Sequence, residues 1–264
     1  MLENAKPHFE TVEIYPWLYR IEDKLDVYFY LLVGTEKALL FDTGFGYGDI
    51  KNEIRNITDL PLTVILGHGH IDHANGAYQF EEVFMSAKDQ AVFDHHTSPL
   101  YRDNVKEMGR LAGMQPQCND WVNQKALKIT DIDPGTVKNL GGLSAEIIEM
   151  AGHTQGSIGI YVPEKKLLLT SDAINSHLWL FLDESGKRSE YLAMVDSVLD
   201  LDFDEFFHAH SGDKHSKDDM RRFQQVAKNA TLEKSQPYHR LEGFEAYIYE
   251  EDGVAFVFNK GTLD

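Results

Sequence analysis

The apolar run LTVIL (62–66) leads directly into GHGHIDHANG (67–76), which sets His68, His70, Asp72 and His73 within six positions. A short β-branched run reads as a buried strand, and three imidazoles and a carboxylate cannot follow it into a core without partners. The loop must therefore open at a strand end, and the fold must gather strand ends around a polar site. His68 and His70, two residues apart on a loop leaving a strand, can aim at one point. Asp72 and His73 come after the chain has turned and can aim at a second. Neutral imidazole and carboxylate are the natural ligands of Zn²⁺ and similar borderline ions. Gly67, Gly69 and Gly76 permit a tight, non-standard backbone path between them.

Three later clusters also fall at strand ends. AGHTQGS places His153 after LSAEIIEM, LLLTSDA ends in Asp172, and FFHAHSG carries His208 and His210. Asp172 at the end of an apolar strand is costly to bury without a charged partner. TVEIYPWLYRIE, DVYFYLLVG, KALLFDTG, EEVFMS and SIGIYV read as further strands. Residues 47–57, 188–200, 214–234 and the run AKDQAVFDHH read as helices, and 73–80 as a short helix with Asp72 near its N-cap. Residues from about 97 to 130 lack strand character and read as a helical cap over a cleft. FEAYIYEEDGVAFVFNK reads as a hairpin turning at Asp252-Gly253. There is no Gly/Ser/Pro-rich linker, no low-complexity tract and no convincing repeat. The expectation is one α/β (α+β) domain over residues 1–264, two sheets packed together with helices outside.

Composition narrows the partners. With 42% hydrophobic residues among 264, a packed core is expected. Twenty-five Lys and Arg against 43 Asp and Glu leave a net charge of −18, which repels nucleic acid and anionic membrane alike. A single cysteine, Cys118, rules out an intramolecular disulfide and suits a reducing compartment. The N-terminus does not read as a signal peptide, and no stretch approaches the ~18 apolar residues of a membrane span. A cytoplasmic protein is expected, acting on a small-molecule substrate. The C-terminal hairpin and the cap are each available for a homodimer contact.

The order His68-x-His70-x-Asp72-His73, then His153, Asp172 and His210, resembles the ligand set of the metallo-β-lactamase superfamily, above all its binuclear, glyoxalase-II-like hydrolase branch. FDTG, with Asp42, stands where that family carries an Asp-x-Gly turn, and the resemblance covers roughly residues 12 to 215. It implies a four-layer αββα sandwich, the metallo-β-lactamase fold, with the site at one edge of the two sheets. It further implies that His68, His70 and His153 hold one metal, that Asp72, His73 and His210 hold a second, and that Asp172 bridges them. Asp42 would orient the site, a role that competes with simple loop capping. His208, two residues from His210 on a strand, faces the same way and stands as an alternative last ligand. The cofactors implied are two divalent ions, Zn first, with Fe or Mn as alternatives.

Two such ions about 3.5–4 Å apart would hold hydroxide between them at neutral pH for attack on a carbonyl or phosphoryl centre. Asp72 and Asp172 then count as catalytic residues as well as ligands. The oxygen-reducing di-iron members carry glutamate where this chain has His70, so the resemblance points to hydrolysis of a small-molecule ester, thioester, lactone or phosphoester. A mononuclear iron persulfide dioxygenase is the alternative enzyme, and a metal-stabilised, non-catalytic binding protein the alternative of another class. The missing signal peptide argues against a β-lactamase, and the acidic charge against a nuclease. The short chain after His210 lacks the basic helical region that would support glutathione thioesters. No Gly-x-Ser-x-Gly elbow is present, and Cys118 reads as a bystander. His177, soon after Asp172, reads either as a proton donor to the leaving group or as a packing histidine. Trp179 reads as core, one of Tyr28 and Phe29 as bordering the site, and His95 and His96 as ordinary helix-end histidines.

Overall fold

The computed structural model describes residues 8–114, 116, 118, 120–239 and 243–264. Among them the chain forms two compact units, one from Met1–Ile132 with Asn139–Leu143, the other from Asp133–Lys138 with Ser144–Asp264. Both are mixed α/β.

In the first unit, the described residues form a seven-stranded sheet whose order follows the chain: β1 (Glu10–Tyr15), β2 (Leu18–Glu22), β3 (Tyr28–Val33), β4 (Ala38–Phe41), β5 (Leu62–Ile65), β6 (Val83–Met85) and β7 (Ile129–Asp131). Neighbours are antiparallel up to β4 and parallel from β4 to β7. The central runs of β3 and β4 are buried on both faces, which is why they read as continuous apolar stretches rather than alternating ones. The connections carry α1 (Ile50–Arg55), α2 (Ile71–Ala74), α3 (Gln90–His96) and α4 (Pro99–Leu111). Asp49 caps α1 by accepting the Asn52 N–H at 2.9 Å, and Ser98 caps α4 ahead of Pro99. Parallel pairing sets Phe41 opposite Ile65, so Asp42 and the metal-type loop leave the sheet side by side.

Two boundaries differ from expectation. The short helix starts earlier than residue 73: His70 is the N-cap of α2, Asp72 lies in its first turn, and a 3₁₀ turn Asn75–Gln79 follows. The cap is α4 and a 3₁₀ turn at Trp121–Asn123, and it ends before β7 takes up Ile129–Asp131. Three residues with one apolar side chain are too short to show a strand period. Gln115, Gln117 and Asn119 of that segment lie outside the described residues.

The second unit runs β8 (Val137–Asn139), β9 (Ser144–Glu149), β10 (Ile158–Val162), β11 (Leu167–Leu169), β12 (His177–Leu180), α5 (Arg188–Leu199), β13 (Glu205–Phe207), β14 (His215–Ser216), α6 (Lys217–Asn229), β15 (Gln236–Tyr238), β16 (Ala246–Glu251) and β17 (Val254–Phe258). Among the described residues a six-stranded sheet has the order β14-β13-β11-β10-β9-β8, and a four-stranded sheet the order β12-β17-β16-β15. β10 is antiparallel to both β9 and β11, and β11 is parallel to β13. The C-terminal ends of β9, β11 and β13 therefore share one edge of the sheet. The stretch after Asp172 is itself a strand, β12, parallel to β17. α6 is shorter than the 214–234 run: Ser216 and Asp219 cap each other's backbone N–H at its start, and it ends at Asn229. Asp252 and Gly253, at φ 49° and 77°, make the expected tight hairpin turn. Among the described residues no helix is long and apolar enough to cross a membrane.

Candidate metal centre

In the first unit the loop after β5 brings its donors together. His68 Nε2 lies 3.1 Å from His70 Nδ1, and His73 Nε2 lies 3.3 Å from Asp72 Oδ2. Asp42, left-handed at φ 69°, accepts the Gly67 N–H through Oδ1 at 2.6 Å and stands 3.2 Å from His73 Nδ1 through Oδ2. Asp42 thus both ties the loop and orients a donor. An ionised carboxylate only accepts, so the His73 Nδ1–H points at Asp42 and the Nε2 lone pair faces a second carboxylate, Asp72. Two acceptors held that close need a proton or a metal ion between them.

Two of the loop glycines, Gly69 and Gly76, serve close approach. A Cβ on Gly69 would meet Phe93 N at 2.6 Å, and one on Gly76 would meet Thr43 O at 2.4 Å.

In the second unit, the loops that leave the C-terminal ends of β9, β11 and β13 carry His153, Asp172 and His210. Asp172 Oδ2 lies 3.0 Å from His210 Nε2 and 3.8 Å from His153 Nε2. His153 Nδ1 is 2.7 Å from the Trp179 carbonyl, an acceptor, so its proton sits on Nδ1 and Nε2 carries the ring lone pair. Pairing continues past the strands, with Thr170 N–H on Phe207 O and Ala209 N–H on Ser171 O. Ser171, at φ 47°, makes the turn that delivers Asp172.

His208 and His210 are not on one strand. β13 stops at Phe207, and the two side chains part: His208 is buried and stacked on His215 at 4.8 Å, while His210 faces Asp172. His208 Nδ1 accepts the His210 N–H at 3.2 Å. Burial pushes the His208 imidazole down to about 3, with His215 adding to the effect, so it is neutral.

Two ligands each ~2.0–2.1 Å from a tetrahedral ion stand roughly 3.3–3.4 Å apart. The pairs His68/His70, His73/Asp72 and His210/Asp172, at 3.1, 3.3 and 3.0 Å, lie close to that spacing. Among the described residues these donors form His/Asp clusters able to hold a divalent metal.

His177 is exposed at the start of β12, its Nε2 3.4 Å from the Tyr238 hydroxyl. Phe29 is buried in the first unit's core, and Tyr28 only partly. Several residues escaped the sequence reading. Asp89, fully buried, accepts the Gly69 N–H at 2.8 Å. Arg102, buried, donates to Asn75 Oδ1 and to the carbonyls of Trp121 and Gln124, which fastens α4 to the residue just past the donors. Asp23 accepts the Leu25 and Val27 N–H groups, and burial, with the Asp72 charge adding, pushes its carboxyl up to about 6.

The chain is 27% identical over 176 residues to the hydroxyacylglutathione hydrolase GloC of Haemophilus influenzae, covering 62% of this chain and 72% of that protein. It is 23% identical over 194 residues to the acyl-coenzyme A thioesterase MBLAC2 of Bos taurus, covering 65% and 67%. Among solved structures, a metallo-β-lactamase from Pontibacter korlensis superposes with a TM-score of 0.59 at 15% identity, over 84% of this chain and all of that one, and so shares the fold. TTHA1623, solved in a di-iron-bound form, does so with a TM-score of 0.55 at 16% identity, over 74% and 92%. A sequence model of the metallo-beta-lactamase superfamily matches residues 23–210, from before Asp42 to His210. This chain belongs to the metallo-β-lactamase superfamily.

Proposed function

We propose that the protein is a metal-dependent hydrolase of small-molecule esters, thioesters, lactones or phosphoesters, using two divalent ions. In this reading His68, His70 and His153 hold one ion, Asp72, His73 and His210 the other, and Asp172 serves both. The observation that carries it is the meeting of acceptors at His73/Asp72, a geometry that a cation satisfies. The family match, which runs through all seven donors, supports drawing them into one centre.

Divalent ions bound there supply a water acidic enough to attack at neutral pH and a Lewis acid for the substrate oxygen. The chain does the rest. Asp42 keeps the His73 proton on Nδ1, and the Trp179 carbonyl does the same for His153, so both Nε2 atoms stay available. The Asp72 carboxylate is the candidate to take the proton lost by the attacking water. His177, exposed and beside the Tyr238 hydroxyl, is the candidate donor to the leaving group. Thioesters come first among substrates, because an acyl-coenzyme A thioesterase and a hydroxyacylglutathione hydrolase are both relatives.

The test is elemental analysis of the purified protein with His68→Ala and Asp172→Ala alongside, followed by a panel of acyl-CoA, acyl-glutathione, ester, lactone and phosphodiester substrates. About two Zn, Mn or Fe per chain, reduced in both variants, with turnover of one class, is the expected result. One iron per chain with oxygen uptake on a persulfide replaces the reading with a dioxygenase. Full metal loading without any turnover replaces it with a binding protein.

A further inference from the structure

The two histidines that end α3 differ in placement. His95 is exposed, whereas His96 is largely buried, at 9% exposure. The His96 ring lies against that of His70, centroids 4.6 Å apart at 32°, and against Tyr101 of α4, 4.3 Å apart at 28°. Its Nδ1 accepts the Ile71 N–H at 3.4 Å. That N–H is the first of α2, one of the donors a helix leaves without an internal partner, and the N-cap residue His70 does not cap with its own side chain. An imidazole from another helix thus caps α2 between His70 and Asp72. The loop is docked at the start of α3 at a second point, where Gly69 leaves no room for a Cβ beside Phe93 N and its N–H donates to Asp89 Oδ2 at 2.8 Å.

We propose that His96 is a positioning residue: by accepting the Ile71 N–H, it sets the angle at which His70 and Asp72 present their donor atoms. The proposal rests on the reading of His70 and Asp72 as metal ligands. It assigns a role to a histidine pair that, in sequence, looks like an ordinary helix end.

Two variants separate the two contacts. His96→Asn keeps an acceptor near the place of Nδ1 and removes the ring, and His96→Phe keeps the ring and removes the acceptor. Co²⁺ titration followed by visible absorption reads both affinity and ligand geometry. With His96→Phe, Co²⁺ affinity is expected to fall about tenfold with shifted bands, and with His96→Asn to stay within about threefold of wild type. His96→Phe binding Co²⁺ like wild type overturns the proposal, and so does His96→Asn failing as badly as His96→Phe. Hydrogen exchange at the Ile71 amide of the wild-type protein needs no variant: a protected amide supports the cap, and one exchanging at the open-chain rate overturns it. Wild-type protein that binds no Co²⁺ at all sinks the ligand reading itself, whereas normal wild-type binding with indifferent variants sinks only the role of His96.

Discussion

The two units offer the same donor chemistry by opposite routes. In the first, four donors follow one strand within a six-residue loop, and their spacing is set by local backbone: a strand exit, an N-cap and one helical turn. In the second, His153, Asp172 and His210 lie far apart in sequence, and what brings them together is the register of β9, β11 and β13. The orienting groups differ in kind as well. His73 is held by the Asp42 side chain, His153 by the Trp179 backbone carbonyl. A local loop can be written into a contiguous motif. A register-built cluster is only as good as the sheet beneath it.

The largest expected effect breaks the comparison at its centre. Asp172 Oδ2 faces two imidazoles, whereas His68 faces one other donor in its own unit. Asp172→Ala is expected to remove both ions and His68→Ala only one, each with activity down on the order of a thousandfold, because a bound ion contributes several kcal/mol. Metal content and turnover measured on the same samples decide it. An Asp172→Ala protein that keeps both ions would show that Asp172 holds neither.

Next comes pH, where the units titrate with opposite sign. The Asp23 carboxyl of the first unit is raised from 3.8 to about 6, so its neutral form is favoured on folding. The stability it allows is full below 3.8 and is lost as pH rises through 6, a penalty of up to about 3 kcal/mol at pH 8. His208 of the second unit is depressed from 6.5 to about 3, so its contribution is present above 6.5 and is lost as pH falls toward 3. Urea unfolding of metal-free protein between pH 4 and 8 is expected to show Asp23→Asn gaining stability at pH 8 and little at pH 4. His208→Gln is expected to flatten the acid side instead. An Asp23→Asn protein no more stable at pH 8 than wild type would mean that the carboxylate is stabilised where it lies.

What was legible in sequence follows the same division. The donors of residues 68–73 declare themselves because chain and site coincide. His153, Asp172 and His210 were legible as strand-end residues; the preference for His210 over His208 came from the resemblance, and in the structure β13 stops at Phe207 and His210, not His208, faces Asp172. Asp42 carried two readings, and the parallel pairing of β4 with β5 satisfies both, tying a loop N–H and orienting His73. Asp89 and Arg102 act across long sequence separations, and a backbone carbonyl such as that of Trp179 leaves no trace in residue identity. Strands of two or three residues, β7, β8 and β14, are shorter than any period that could reveal them.

Removing the side-chain orienter is expected to cost more than touching the residue that provides the backbone one. Asp42→Asn leaves His73 Nδ1 with a neutral partner and makes the Gly67 anchor weaker, so metal affinity is expected to fall 10- to 100-fold, roughly the span for such outer partners. Isothermal titration with Zn²⁺ reads it, and an unchanged affinity would return Asp42 to the role of loop cap.

The smallest effect is the sharpest check on the other side. Trp179→Phe keeps the carbonyl that holds His153 Nδ1 and keeps an aromatic ring near Phe181 and Tyr238, whose centroids lie 5.2 and 6.2 Å from that of Trp179. If the carbonyl alone orients His153, Zn²⁺ affinity changes by less than about threefold, well short of the loss from removing an outer partner. A tenfold loss would instead mean that the indole sets the path of β12, and through it the carbonyl. The second unit's orientation would then depend on a side chain as much as the first unit's does.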